Sequence, residues 1–429
     1  MNIYKELQNK KRYREFFDRL AKKLHSEPHR RNQKPAGSEI TPTWMLLNES
    51  EISSTAIKEV KKKTYLPGPA QVKTIRVDKE RKIFSLTWPD RMMDSVLSSI
   101  LTEAIEPTLS DRLFSFRKGR SNYKVISEFG AYISNLEQKG IPVYIIKQDV
   151  SDYGDSINRE ILLKKLSDAL GHQDPYIARL VNAFAHPTKH LGEDDVLKNV
   201  GIPMGLSITP VSENLYLSEL DKEIDKIEGV FYSRFGDDIM LASDDVQKVL
   251  KADRLIASYL TKHGLIVKPE KRQQLCLAKQ SYTSSTDFPT KPAIEYLGFS
   301  ISFLGEIFLS KEKETNLKRD FRMTAKKSAL ANRKLGKELC LKKVILAVSL
   351  HLEKELMHPY LEAALSIVND AKALKSLDTW IAKVCLRYIY GTGHDRVFKY
   401  KSLKQLRKMG VPSILHLKNS TRRKRFRAQ

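Results

Sequence analysis

The sequence predicts an α+β fold, and three observations carry the prediction. The run Pro142-Val-Tyr-Ile-Ile146 is short, apolar and rich in β-branched and aromatic residues, which reads as a buried strand. The stretch Phe231–Ala242 is an apolar run broken by Gly236-Asp237-Asp238 and then resumed, the pattern of a β-hairpin with a tight turn. Past Ser310 the pattern turns helical, with a basic stretch over Lys311–Lys343 and apolar periodicity over Val344–Leu356. At 429 residues the chain has room for more than one domain and a sizeable core.

Taken in order, Met1–Gly37 reads as an amphipathic Lys/Arg-rich helix ending in the polar, Pro-containing Ser26–Gly37. Such a helix is suited equally to gripping RNA and to presenting a solvated face. Asp78-Lys-Glu-Arg-Lys82 reads as an exposed charged turn. Asp149 closes the buried strand, and Gln148–Leu162 then turns into a helix. Asp149 is thus expected to project from a strand end toward the hairpin, or to cap the helix, with Asp152 and Asp155 as further cap candidates. Thr209-Pro210 reads as N-cap and first residue of a helix burying Leu215, Leu220, Ile224 and Ile227. In the hairpin, Gly236 supplies backbone freedom, and the adjacent carboxylates of Asp237 and Asp238 repel each other unless cations sit beside them. The tail Thr421–Arg427 is basic with one aromatic, suited to phosphate contact or to a solvated end.

Composition narrows the class. Lys and Arg total 75 against 51 Asp and Glu, a formal net charge of +24 that favours polyanionic partners. No run of eighteen or more apolar residues occurs, and no charged start leads into an apolar core, so a cytoplasmic chain without a membrane partner is expected. Cys276, Cys340 and Cys385 lie far apart with no Cys-x-x-Cys, which argues against a zinc site and a disulfide framework.

Six ordered blocks carry a resemblance. Arg81–Ile126 contains Asp90-Arg91, Glu106-Pro107 and Phe114-Ser-Phe-Arg-Lys-Gly-Arg-Ser121. The Asp149 segment, Gly201–Leu215, Phe235-Gly-Asp-Asp238, Gly264–Lys271 and Glu295-Tyr-Leu-Gly-Phe299 follow. Together they resemble the bacterial reverse transcriptases of the group II intron-like lineage, continuously from about Tyr65 to Ser310, and most of all the standalone defence-associated (antiphage) enzymes. The resemblance implies a right-hand polymerase: a basic N-terminal extension (1–40), fingers and palm (41–310), and a helical thumb with a basic tail (311–429).

It also implies roles. Asp149, Asp237 and Asp238 would be catalytic and would hold two Mg²⁺ ions, with Mn²⁺ as a substitute; Lys79, Arg81, Val150, Gly154, Met204, Gly205 and Lys271 would bind the nucleotide. Lys271 would protonate departing pyrophosphate, with Lys268 competing for that role. Two positions depart from the family pattern. Gly154 stands where a bulky aromatic usually blocks a 2′-hydroxyl, with Tyr153 beside it, and Met204 stands where a glutamine is common. Either the pocket is unusually open or another side chain fills it. The implied activity is RNA-directed DNA synthesis, in antiphage defence with a non-coding RNA. Template-independent DNA synthesis, RNA-dependent RNA synthesis and non-catalytic intron maturation are the alternatives. Implied partners are an RNA template or non-coding RNA, the DNA product and nucleoside triphosphates, with room for an oligomer.

Overall fold

The computed structural model describes residues 1–34, 38–76, 80–171, 174–185, 200–284, 287–357, 359–391 and 395–419. Lys79 and the tail Thr421–Arg427 lie outside the described residues. The fold is mixed, with ten strands among the described residues and helices before, between and after them. Two compact units divide it, Met1–Ser121 with Ile145–Gln274, and Asn122–Tyr144 with Leu275–Gln429.

In the first unit the amino-terminal segment forms two helices, Ile3–Glu6 and Lys10–Ser26, capped by the side chains of Asn2 and Asn9. The longer one buries Tyr13, Phe16, Phe17, Leu20 and Leu24 against helices Glu49–Lys61 and Trp88–Ile105. Arg12 ties it down by pairing with Glu103 at 2.6 Å and with Glu6. Strands β1 (Gln71–Arg76) and β2 (Glu80–Ser85) form an antiparallel ribbon. Helix Trp88–Ile105 is almost wholly buried along one side, through Met92, Met93, Val96, Leu97, Ile100 and Leu101.

Strand β3 (Val143–Asp149) is buried over nearly its whole length, and it extends three residues past the apolar run that predicts it. The chain then makes a one-turn helix Tyr153–Ser156, the helix Arg159–Leu170 capped by Asn158, and the helix Pro175–Ala185. The helix expected after Thr209-Pro210 is in fact two, Ile208–Tyr216 and Ser218–Asp225, broken at Leu217. Leu217 takes φ −102°, ψ 8° and is itself fully buried, so the break lets Leu215, Leu217 and Leu220 all point inward. Ile227 falls beyond the second helix and is only half-buried. Strands β4 (Phe231–Phe235) and β5 (Asp238–Ser243) form the expected hairpin. Helix Val246–Lys262 then packs back on β5, and β6 (Gln273–Leu277) follows. The strand order is β4–β5–β3–β6.

Strands β3 and β6 each continue across the boundary between the units. In the second unit β6 pairs parallel with the short β7 (Thr290–Lys291), Cys276 opposite Thr290. A separate antiparallel sheet joins β8 (Ala293–Tyr296), β9 (Phe299–Ser302) and β10 (Ile307–Leu309). The β8–β9 turn is Leu297-Gly298, both with positive φ. Helix Asn122–Glu137 lies against β10, and at Gly130 a Cβ would come within 3.1 Å of the Gly305 carbonyl. The remainder is helical: Lys311–Ala331, Lys337–Met357, Pro359–Ile367 and Ala371–Tyr390, with Leu403–Lys408 closed by a Ser402/Gln405 capping box. The basic stretch Lys311–Lys343 is therefore interrupted, at 332–336, where Gly336 stands. Among the described residues no helix is long and apolar enough to cross a membrane.

Candidate active site

All of the site's described residues belong to the first unit. Asp149 is the last residue of β3 and is 5% exposed. Phe235 pairs with Asp238, leaving Gly236-Asp237 as a two-residue turn, and Gly236 has φ +66°, the left-handed value such a turn requires. The amide of Val150 donates to the Asp237 carbonyl at 3.2 Å, which fastens the strand end to the turn. Val150 itself is fully buried, so its backbone rather than its side chain serves the site. On the other side the chain after β3 runs beside residues 266–268: Ser151 N donates to Ile266 O and Lys268 N to Asp149 O. That pairing brings two cations onto one carboxylate. Lys271 Nζ lies 2.8 Å and Lys268 Nζ 3.4 Å from Asp149 Oδ2.

Burial and mutual repulsion set the electrostatics. Burial pushes Asp237 up to about 6, and the neighbouring Asp149 and Asp238 charges push the same way. Asp238 is also raised by burial, with Lys147 and Lys271 opposing. Burial acts to raise Asp149 as well, but the Lys271 ammonium and a hydrogen bond with Asp237 hold it below its ordinary value. Lys271 is raised in turn by its close pairing with Asp149. Asp149 Oδ2 is sealed from solvent and, although paired with ammonium groups, lacks a well-aligned hydrogen bond. These are hard oxygen donors with an excess of negative charge, the donor chemistry that suits Mg²⁺. As they stand the cations beside them are lysines, and among the described residues no three His, Cys, Asp or Glu side chains are grouped closely enough to ligate one ion.

The turn is held from beneath by residues that the motif reading did not single out. Arg234 and Asp221 are both fully buried and paired through two bonds, Nε to Oδ1 at 2.8 Å and Nη2 to Oδ2 at 2.7 Å. The same guanidinium donates to the carbonyls of Gly236 (3.1 Å) and Asn214 (3.0 Å), and Tyr232 donates to Asp221 at 2.5 Å. Ser115 Oγ accepts from the Gly236 amide at 2.9 Å, and Asn214 Nδ2 donates to the Ser115 carbonyl at 2.9 Å. The one available signal was a charged residue inside an otherwise apolar strand, Phe231-Tyr-Ser-Arg234. Arg117, in the same block as Ser115, is also structural, forking onto Glu106 and the Leu113 carbonyl.

The residues expected at the nucleotide divide into two sets. Gly154 and Met204 come together: a Cβ on Gly154 would stand 4.0 Å from Met204 Cγ and 3.9 Å from Ile202 Cγ1. It would stand closer still, 3.3 Å, to Glu213 Oε1, a residue inside the Gly201–Leu215 block that the sequence gives no role. Tyr153 is turned inward, 4% exposed, donating to the Glu213 carbonyl at 2.6 Å with its ring edge-on to Tyr216. Gly205 has φ +99° and meets β2: a Cβ there would lie 2.8 Å from the Phe84 carbonyl, and Phe84 N donates to Met204 O at 2.8 Å. The close approach that requires glycine is therefore to the protein's own strand. Arg81 is half-buried on β2, and Lys79 lies outside the described residues.

Thr209-Pro210 is not the helix start. Thr209 sits inside the helix with its hydroxyl donating to Pro203 O at 2.5 Å. The capping acceptor is Asp94 of helix Trp88–Ile105, which takes the Ser207 amide at 2.5 Å and the Ile208 amide at 3.1 Å. Asp152 precedes the helix Tyr153–Ser156 with φ +43° and makes no side-chain cap.

The family profile described as "Reverse transcriptase (RNA-dependent DNA polymerase)" matches residues 60–301. The "Uncharacterized 91 kDa protein in cob intron" of Schizosaccharomyces pombe is 27% identical over 144 residues, 33% of this chain. The match spans only 17% of that protein's own length. Among solved structures, apo telomerase from Candida Tropicalis is similar at TM-score 0.46 and 13% identity, over 84% of this chain and 68% of that one. A form truncated from the C-terminal domain gives 0.43 and 14%, over 65% and 63%. Telomerase from Candida albicans in complex with a TWJ fragment of telomeric RNA gives 0.43 and 13%, over 85% and 67%.

Proposed function

We propose, for a chain that belongs to the reverse transcriptase (RNA-dependent DNA polymerase) family, that Asp149, Asp237 and Asp238 form the centre of an RNA-directed DNA polymerase. The observation that carries this is the convergence of a strand-end carboxylate and a hairpin-turn carboxylate pair, fastened by the Val150–Asp237 hydrogen bond. The three carboxylates would hold Mg²⁺, two ions with Mn²⁺ as a substitute. When bound, the metal supplies activation of the primer 3′-hydroxyl and neutralisation of the pyrophosphate. The chain's own contribution is to hold the carboxylates rigidly, to balance their charge with Lys268 and Lys271, and to bound the nucleotide with Gly154 and Met204. Lys271, 58% exposed and raised above its ordinary value, is placed to bind or protonate a leaving phosphate. In this reading residues 1–40 extend a fingers and palm region (41–310), and the helices after residue 311 serve as a thumb.

The test is primer extension on RNA by the purified chain. Asp149→Ala and Asp237→Ala should each cut deoxynucleotide incorporation by at least about 10²–10³-fold, the scale of removing an electrostatic stabiliser. Melting temperature and RNA affinity should stay close to wild type. Undiminished incorporation by either variant refutes the assignment.

The finer reading is synthesis in bacterial antiphage defence, in the cytoplasm and with a dedicated non-coding RNA. Its support is the resemblance to standalone bacterial enzymes together with the unusual pocket, Gly154 and Met204 standing where the family pattern has other residues. Sequencing the RNA that copurifies with the chain, and plating phage on cells carrying wild type or Asp237→Ala, tests it. A second reading, acceptance of ribonucleotides, is favoured by one observation: Gly154 presents no ring beside Met204, Ile202 and Glu213.

A further inference from the structure

We propose that Glu213 reads the sugar of the incoming nucleotide, its carboxyl oxygen accepting a hydrogen bond from a ribose 2′-hydroxyl at the wall that Gly154 leaves without a side chain. The inference rests on the polymerase site proposed above, in its second, ribonucleotide-accepting reading, and names the determinant of that selectivity. The geometry begins with what stands nearest the missing Cβ. Glu213 Oε1 is at 3.3 Å, closer than either apolar neighbour, Ile202 or Met204. The wall is therefore polar where an aromatic at this place would have made it steric.

Glu213 is also fixed in position. It lies within helix Ile208–Tyr216, and its carbonyl accepts the Tyr153 hydroxyl at 2.6 Å, so its backbone is tied to the residue next to Gly154. Tyr153 is spent on that bond and on packing against Tyr216, and it is 4% exposed. The Glu213 side chain itself has no hydrogen bond or ion pair among the described residues. Burial accordingly pushes its carboxyl up to about 7, the Asp237 charge adding to this and Arg234 opposing it. A half-buried acceptor that no protein donor serves is open to a ligand donor, and a ligand hydroxyl that supplies one is favoured over an analogue that lacks it. A collision-based wall selects against the 2′-hydroxyl; this one selects for it.

The test compares ATP with dATP in the full-length protein, as the ratio of their kcat/KM values and as the ratio of their apparent affinities, the reciprocals of the half-saturating concentrations, in a thermal-shift titration. The second readout needs no turnover. Glu213→Ala should lower the ATP:dATP ratio about tenfold or more in both assays. Glu213→Gln, which keeps a carbonyl acceptor of the same length, should retain most of it. Gly154→Ala, whose methyl would press on Oε1, should lower it in the same direction. Equal ratios in wild type and Glu213→Ala overturn the inference and leave the polymerase reading standing, as does a Gln variant indistinguishable from Ala. A wild-type chain that incorporates neither nucleotide overturns the polymerase reading and the inference with it.

Discussion

Replacing Arg234 by Met removes one half of an ion pair in which both side chains are fully buried. The methionine fills similar volume but leaves the Asp221 carboxylate with only the Tyr232 hydroxyl as a donor. Breaking a buried pair from one side costs about 3–5 kcal/mol, because the remaining charge stays desolvated. The carbonyls of Gly236 and Asn214 lose their donors as well, at roughly 1–3 kcal/mol for each that water does not reach. These contributions share one site and do not simply add, so a loss of about 3–5 kcal/mol is expected. For a folding unit of this size that corresponds to a fall of roughly 6–20 °C in melting temperature. The companion variant Arg234→Met/Asp221→Leu removes the stranded charge and should recover about half of the loss, since apolar replacement of both partners is often near neutral. Recovery stays incomplete because the Tyr232 hydroxyl and the two carbonyls remain without partners. Urea unfolding of wild type, both single variants and the double variant gives the coupling directly. An Arg234→Met protein within about 1 kcal/mol of wild type, or a double variant no more stable than Arg234→Met, would refute the reasoning.

Three further outcomes are expected. Burial raises Asp94 from 3.8 to about 6, so the folded state holds its proton more tightly than the unfolded one; stability should fall as pH rises from about 4 to 6. Wild type should therefore lose about 2–3 kcal/mol relative to Asp94→Asn between pH 4 and 7, and parallel urea-unfolding profiles for the two would exclude this. Gly205→Ala brings a methyl to 2.8 Å from the Phe84 carbonyl at a positive φ, and should destabilise the chain by about 1–3 kcal/mol in the same measurement. Affinity for RNA or template–primer, measured by filter binding, should fall about 10³-fold between roughly 50 and 200 mM salt if six or more phosphates are contacted; a flat profile would show that the +24 charge is not used this way.

What the sequence made legible follows the range of the forces involved. β3 and the β4–β5 hairpin are readable because a run of Val, Tyr and Ile, and a Gly-Asp turn between apolar strands, are nearly self-sufficient local signals. The meeting of Asp149 with the turn is readable only through the order and spacing of the motif blocks. Where the chain relies on distant partners, local reading fails. Thr209-Pro210 has good capping chemistry, yet the amides at 207 and 208 are taken by Asp94, more than a hundred residues away. Gly205 reads as a loop glycine facing a ligand because nothing local reveals that β2 presses on it. Glu213 carries no local signal, being one acid in a mostly buried helix until Tyr153 and Gly154 are placed against it. At the break at 332–336 the one local signal is Gly336, masked by the basic residues on either side of it.

The hydrogen bonds under the Gly236-Asp237 turn have a consequence for how the site can change over time. Arg234 and Ser115 hold the Gly236 backbone and Val150 holds the Asp237 carbonyl, bonds that do not use the carboxylates of the turn. Position and reactivity are thus encoded in different residues. The carboxylates can be exchanged for amides, or the wall beside them refitted, without rewriting the instructions that place the turn. A lineage built this way can drift in substrate, or lose its chemistry altogether, and still fold into the same shape.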